Sequence, residues 1–540
     1  MKYNKLLLIL GIAIGITGLT GCNDKTTTSS TDKTTINVDL GEDAPTIDPA
    51  MTQDTQSARV LYDLFAGLMD FDQKNQPIPG LAEKYEVSAD GKVYTFHLRD
   101  GLKFSDGTPL NANDVVYTWQ RLADPKTASP YNFLAGNVVN GQAIIDGKAK
   151  ANTLGVKALD DKTVEITLVH PDAAFLQICT MPNVAIVSKA NIEKFGDKWT
   201  DPKNMVTSGA YTIKEWVVKG HMSLVKNPNY YDASNVTIPN VNFLPLVDTS
   251  SSLSQYRTGA VDITWGIPTD QYQNLKKEFK DQLHTVSQEG LYYFDLNMTL
   301  PKYAKDKDLR QALSMAVDRN VLVKDVLGRD QIPSYSYVTG TIEGGKFAGL
   351  DYPWSKLPRA EQIKQAQELF KKAGYGPNNP LKVTIGYNTN DGHKKVALAV
   401  ASMWQQVFGD KSIQVTQGNQ EWKTFLKARN TANYDIARDG WIADYDDVGS
   451  YTTLYYCKSP QNNSKYCNME YNKLIDQAQG TTDQEQRVAL IKQAVQLAQD
   501  DYAIIPLYQY SYTHLVNPRV KGYDIDDNHL DHVQSKWYHF

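Results

Sequence analysis

The chain has 540 residues, 41% hydrophobic and 22% charged, with 56 Lys and Arg against 61 Asp and Glu for a formal net charge of −5. No basic stripe stands out, which excludes the electrostatic footprint of a nucleic-acid binder or of a patch held to anionic lipid. So long a chain exceeds what one hydrophobic core serves, and two or three domains are expected.

The N-terminus sets the compartment. Lys2 and Lys5 precede an apolar run, LLLILGIAIGITGL (6–19), too short for a comfortable membrane span and typical of a signal peptide. It ends in Leu19-Thr20-Gly21-Cys22, which resembles the lipobox of bacterial lipoproteins: small residues admit the peptidase and the Cys22 thiol takes the lipid. Residues 1–22 are therefore expected to be a lipoprotein signal peptide. NDKTTTSSTDKTT (23–35) follows as a Ser/Thr-rich tether with no core-forming residue. The mature protein is expected on the outer face of a cell membrane, anchored by lipid alone.

Alternating runs come early. VYTFHLR (93–99) and TVEITLV (163–169) predict half-buried strands, punctuated by turn signals such as ADG (89–91) and SDG (105–107). Helices dominate later. The spacing in RAEQIKQAQELFKKAG (359–374) predicts a helix ending on Gly374, and HKKVALAVASMWQQVFG (393–409) predicts another. TDQEQRVALIKQAVQLAQDD (482–501) opens with a Thr482–Glu485 capping box, and in AIIPLY (503–508) Pro506 marks an irregular or edge strand. Strands alternating with helices through both halves predict α/β lobes.

Chemistry-bearing motifs are sparse. HExxH, G-x-S-x-G and GxxxxGK[ST] are absent from the sequence. The acidic run YDIARDGWIADYDDVGSY (434–451) fails as a calcium loop, because Val448 and Tyr455 occupy ligand positions. In DIDDNHLDH (524–532), His529 and His532 stand among Asp526, Asp527 and Asp531; so near the C-terminus this reads as a solvated polar stretch in preference to a transition-metal site. Cys179 lies in apolar AAFLQICTMP as a buried thiol. Cys457 and Cys467 flank a polar loop outside the cell, where a local disulfide is plausible. Tyr is abundant, 32 against 15 Phe, which suits a wide, partly wet binding surface.

Several stretches together resemble the peptide/nickel-type solute-binding proteins of ABC importers, and among them the oligopeptide-binding proteins. They are residues 81–131, FGDKWTDPKNMVTSGAYTIKEWVVKG (195–220), the helix from His393, NQEWKTFLKARN (419–430), ARDGWIADY (437–445) and AIIPLYQY (503–510), in the family's order. The resemblance implies a two-lobed, periplasmic-binding-protein-like (type II) α/β fold with an extra subdomain on the first lobe. Lobe I would take 36–65, 190–289 and 512–540; the subdomain 66–189; lobe II 290–511.

It also implies roles for single residues. Asp444 would grip the ligand's α-ammonium. Gly440 and Ile442 would pair with its backbone, as would Thr55 from the first lobe. Tyr131 and Tyr510 would place hydroxyls beside it, and Trp422 and Trp441 would wall side-chain pockets. Arg429, Arg438 and His393 would meet ligand carboxylates, while Asp446 and Asp447 read as solvated turn residues. Two departures stand out. A disulfide of better-known members has Ile442 and Gly290 at its two positions, and a Lys that meets very short peptides is replaced by Leu327, which speaks for longer ligands.

The expected function is capture of oligopeptides and delivery to an ABC permease by a monomeric, non-enzymatic, cofactor-free protein. The alternatives are a haem, nickel or oligosaccharide ligand on the same fold, or a surface hydrolase.

Overall fold

The computed structural model describes residues 34–524 and 527–540; the signal peptide with Cys22, residues 23–33 of the tether and Asp526 lie outside the described residues. Thr35, at the tether's expected end, already belongs to the first strand, Thr35–Asp39. That strand pairs in parallel with Asn240–Leu244, and His221–Lys226 and Tyr211–Val217 extend the sheet antiparallel. Its alternating residues Ile36, Val38, Val241, Phe243 and Leu224 bury one face against Val60, Leu61 and Leu64 of helix Thr55–Leu64 and against Val516, Val533 and Tyr538. Three stretches far apart in sequence thus share one core.

A six-stranded sheet forms the second body, in the order Ile332–Pro333, Ile504–Leu515, Leu283–Leu296, Ile436–Ile442, Leu381–Asn388, Ile413–Gln420. Helix Asp391–Phe408 packs Val396, Ala397, Val400 and Trp404, one helical stripe, into its core, and Leu322 and Leu327 lie there too. The 14-residue strand Leu283–Leu296 and the 12-residue strand Ile504–Leu515 pair along their lengths, from Leu283 opposite Leu515 to Asp295 opposite Ile504. Their ladder is interrupted between Ser287 and Leu291.

A third, four-stranded sheet (Ala82–Val87, Val93–Leu98, Thr163–Thr167, Val156–Ala158) is covered by helix Ala112–Ala123 through Val115, Trp119 and Leu122. Its core continues without a break into Trp441, Ala443 and Tyr445. That continuity brings Tyr131 against the acidic run.

Three local expectations are corrected. Helix Gln484–Asp500 is capped by Asp483, whose side chain accepts from the Glu485 and Gln486 N–H groups, so Thr482 forms no capping box. His532 is not solvated: its ring packs 5.2 Å from Tyr62 and 5.5 Å from Phe71, and burial pushes its pKa down to about 4. Asp447 is buried and takes both Nη2 contacts from Arg487, at 2.6 and 2.7 Å, whereas Asp446 is exposed. Pro506 stands in a long strand, opposite Tyr293 at a register shift, so the strand is irregular there. Cys457 and Cys467 are joined to each other, and Cys179 is a buried free thiol. Among the described residues, no helix is long and apolar enough to cross a membrane.

Candidate functional site

The strand Ile436–Ile442 runs antiparallel to Leu283–Leu296, with Gly440 opposite Tyr292 and Ile442 opposite Gly290. Just beyond it, the Ala443 N–H donates to the Glu289 carbonyl at 2.7 Å, which makes that facing pair hydrogen-bonded. Alternation along an antiparallel ladder then puts Gly440 and Ile442 in non-hydrogen-bonded pairs, with their N–H and C=O groups turned away from the central strand. On that far side the strand Leu381–Asn388 pairs only with Ile436 and Ala437. From Arg438 onward the edge is uncovered. The Gly440 N–H rests on the carboxylate of Asp439 at 2.7 Å.

Gly440 must be glycine for a packing reason: a Cβ there would lie 2.2 Å from the Tyr510 hydroxyl. At Gly290 a Cβ would sit 3.0 Å from the Tyr510 ring and 3.1 Å from Ile442 Cγ1. The two departures from the disulfide pattern therefore face each other across the ladder, and the space between them is filled by Ile442 and Tyr510.

At the end of this edge stands Asp444. Its Oδ1 accepts from the Tyr131 hydroxyl at 3.1 Å, its Oδ2 lies 3.4 Å from Ser450 Oγ, and its N–H donates to the same oxygen at 2.9 Å. Ser450 also accepts from Trp441 Nε1 at 3.1 Å, so one hydroxyl fixes the carboxylate and the indole together. Burial pushes the Asp444 pKa up to about 7, against the smaller lowering effect of Tyr131 and Ser450. Among the described residues no cation comes within ion-pair distance of it.

The other end is cationic. Arg438 donates from Nη2 to the Tyr510 hydroxyl at 2.9 Å and from Nη1 to Asn388 Oδ1 at 3.3 Å, and lies 5.1 Å over the Tyr292 ring. His393 opens helix Asp391–Phe408 under the Asn390 cap, with its ring 5.6 Å from that of Tyr292. Burial above all, then Arg438 and Arg329, holds its pKa well below the ordinary value, so the imidazole is neutral at pH 7. The resemblance implied that both meet ligand carboxylates as cations; here His393 is neutral, and Arg438 is bonded to a phenol and an amide.

Other candidates are engaged elsewhere. Arg429 is spent on a buried ion pair with Asp439, which also accepts from Asn463 at 3.0 Å. Trp422 stacks with Phe425 in a small core, with Arg429 6.0 Å over its ring. Thr55 begins its helix and lines a cavity with Asp39, Arg59, Tyr512 and Asp531. Leu327, packed in the second core, presents no polar group.

Sequence reasoning missed Ser450, Asn388, Tyr292 and Glu42. Asn388 Nδ2 donates to Glu42 Oε1 at 2.8 Å, linking the two large sheets, and burial pushes Glu42 up to about 7 despite Asn388 and Arg438. Asn388 ends its strand, and the C-terminal ends of strands in α/β sheets are where ligands are received; that was the available signal. Asn430 donates to Gln53 at 2.8 Å in a second link of this kind.

Residues 76–463 match the bacterial extracellular solute-binding proteins, family 5 Middle. The chain is 40% identical over 508 residues to the periplasmic oligopeptide-binding protein OppA of Salmonella typhimurium, covering 94% of this chain and 92% of that protein. It superposes on Haemophilus influenzae OppA in complex with RPPGFSPFR with a TM-score of 0.91 at 35% identity, covering 94% of this chain and 99% of that one. Against the unliganded open form of the murein tripeptide binding protein MppA, at 36% identity and coverages of 94% and 98%, the TM-score is 0.65. Since the identities are alike, the difference lies in how the parts are arranged, and here they are arranged as in the peptide complex. The architecture is the two-lobed α/β fold of type II periplasmic-binding proteins, and the chain belongs to the bacterial extracellular solute-binding proteins of family 5.

Proposed function

We propose that this protein captures oligopeptides outside the cytoplasm and passes them intact to the permease of an ABC importer, tethered by lipid on Cys22. Asp444 carries the reading. A buried carboxylate without a counter-ion is costly, and its cost is offset only when a cation arrives. A peptide N-terminus, with a pKa near 8, is largely an ammonium at neutral pH and brings three donors. The uncovered edge at Gly440 and Ile442 then takes the peptide as an added strand, so main-chain bonds supply affinity whatever the sequence. Arg438, six residues before Asp444 and so at most about 20 Å away along the chain, meets the other end. Lobe I is proposed as 36–65, 190–289 and 512–540, its subdomain as 66–189 and lobe II as 290–511, closing on the ligand as a monomer.

Calorimetric titration with a free peptide and its N-acetylated form tests this. Acetylation should weaken binding by about 3–5 kcal/mol, and Asp444→Ala should do the same to the free peptide. Equal affinity for both forms in the wild type would contradict the ammonium socket.

A further inference from the structure

Arg329 stands beside the cationic end of the cleft with no acid to answer it. It follows Gly328, whose φ of 64° closes the wide-turn helix Leu322–Leu327, and precedes the strand Ile332–Pro333, which pairs with Gln509 and Tyr508. The loop therefore runs along the stretch of strand that carries Tyr510. Its backbone is pinned: the Arg329 N–H donates to Gln331 Oε1 at 3.1 Å, and its carbonyl accepts from the Ser511 hydroxyl. The side chain is not. Nη1 makes one long contact, 3.4 Å to the Ile267 carbonyl, and Nε is buried without a partner.

The fold shows elsewhere how it satisfies a guanidinium buried for structure. Arg59 pairs with Asp63 and Arg429 with Asp439. Arg319 has no acid but donates to the carbonyls of Ser314, Val317, Ser334 and Pro506. Arg329 has neither arrangement, and the adjacent Asp330 is taken by the Tyr272 hydroxyl and Lys276. Arg438 likewise has no ion pair: it bonds only the Tyr510 hydroxyl and Asn388 Oδ1, and its Nε is buried and unpartnered, as is that of Arg429 despite its ion pair. Arg329 and Arg438 are both held to neighbouring residues of one strand, Arg329 through its carbonyl to Ser511 and Arg438 through the Tyr510 hydroxyl, and both lower the pKa of His393. Two guanidiniums without an ion pair beside one neutral ring form a receptor for an anion.

Resting on the peptide reading above, we propose that Arg329 is a second carboxylate-binding residue, which with Arg438 receives a carboxylate of the bound peptide at the end away from Asp444. The carboxylate comes from the C-terminus or from an acidic side chain near it. The guanidinium fork suits this group, because two parallel N–H donors match its two oxygens.

The test is calorimetry of the wild type, Arg329→Gln and Arg329→Lys with tetra-alanine as free acid, as C-terminal amide, and as an amide carrying one Glu near its end. Arg329→Gln should lose about 10–100-fold on the free acid and under about 2-fold on the plain amide, the range of one charge-assisted hydrogen bond or bidentate pair. Arg329→Lys, which keeps the charge on a residue less disruptive to the loop, should recover part of the loss. A loss that follows the Glu peptide assigns the carboxylate to a side chain. Equal losses on acid and amide, or no loss on any form, overturn the proposal while leaving peptide binding intact. A wild type that binds none of the peptides overturns the peptide reading and this proposal together.

Discussion

Asp444 is held in its charged form only at a cost, and that cost gives it a pH signature. Its pKa of about 7 in the folded protein lies above the ordinary value near 4. Below pH 7 the carboxyl is protonated and cannot attract an ammonium; above pH 8 the peptide amine loses its charge. Peptide affinity should therefore peak between about pH 7 and 8, and Asp444→Asn should remove the acidic limb of the profile measured by calorimetry. The stability consequence has the opposite sense to that of a paired carboxylate. A folded-state pKa above the unfolded one means the native state holds the extra proton between about pH 4 and 7, so this residue's contribution falls as pH rises through that window. Ligand-free Asp444→Asn should melt higher than the wild type at pH 8, with the gap closing toward pH 4. The acid among aromatics in GWIADY drew notice to this run, but only the resemblance to the family singled out Asp444. The fate of Arg429 was not legible in the sequence: Asp439 meets it only after a helix and a strand have packed, and no local pattern records that.

Among the elements, the strand Ile436–Ile442 does most for the site, through what it leaves unpaired. A methyl group at Gly440 would displace the Tyr510 hydroxyl and with it the Tyr510–Arg438 bond. Gly440→Ala should cost about 1–3 kcal/mol in urea unfolding, the usual price of overpacking, and weaken peptide binding by more than that stability loss predicts for a remote site. The Cys457–Cys467 link closes a loop with a sequence separation of 10. Replacing both by Ser should cost about 2–3 kcal/mol in unfolding free energy. The helices Arg359–Lys372 and Asp391–Phe408 and the strands Val93–Leu98 and Thr163–Thr167 were readable from periodicity and turn residues. The cap of Gln484–Asp500 was misplaced by one residue because Asp and Thr are both good caps and both stand before the helix. The open edge at Gly440 and Ile442 came from the resemblance alone, since the end of pairing with Leu381–Asn388 depends on where two strands diverge and leaves no local pattern.

The described residues form the two-lobed fold, with the strands Leu283–Leu296 and Ile504–Leu515 paired along their lengths. Polar contacts from Asn388 to Glu42, Asn430 to Gln53 and Tyr131 to Asp444 cross between the parts, beside the apolar core that runs on into Trp441, Ala443 and Tyr445. Each is a single hydrogen bond, worth about 1 kcal/mol net. Saturating peptide, at about 1,000 times its Kd, should raise unfolding free energy by about 4 kcal/mol, read as a shift in the urea midpoint. His532 shows what composition hides at this scale: in DIDDNHLDH it looks solvated, yet Tyr62 and Phe71 enclose it from another part of the chain. On the proposed function, the cleft holds peptides and does no chemistry on them. Incubating the protein with a defined peptide mixture, removing free peptide, denaturing and weighing what is released by mass spectrometry tests it directly. Intact peptides with free N-termini, at about one per chain, are the expected result; shortened fragments, or no retained peptide, would contradict it.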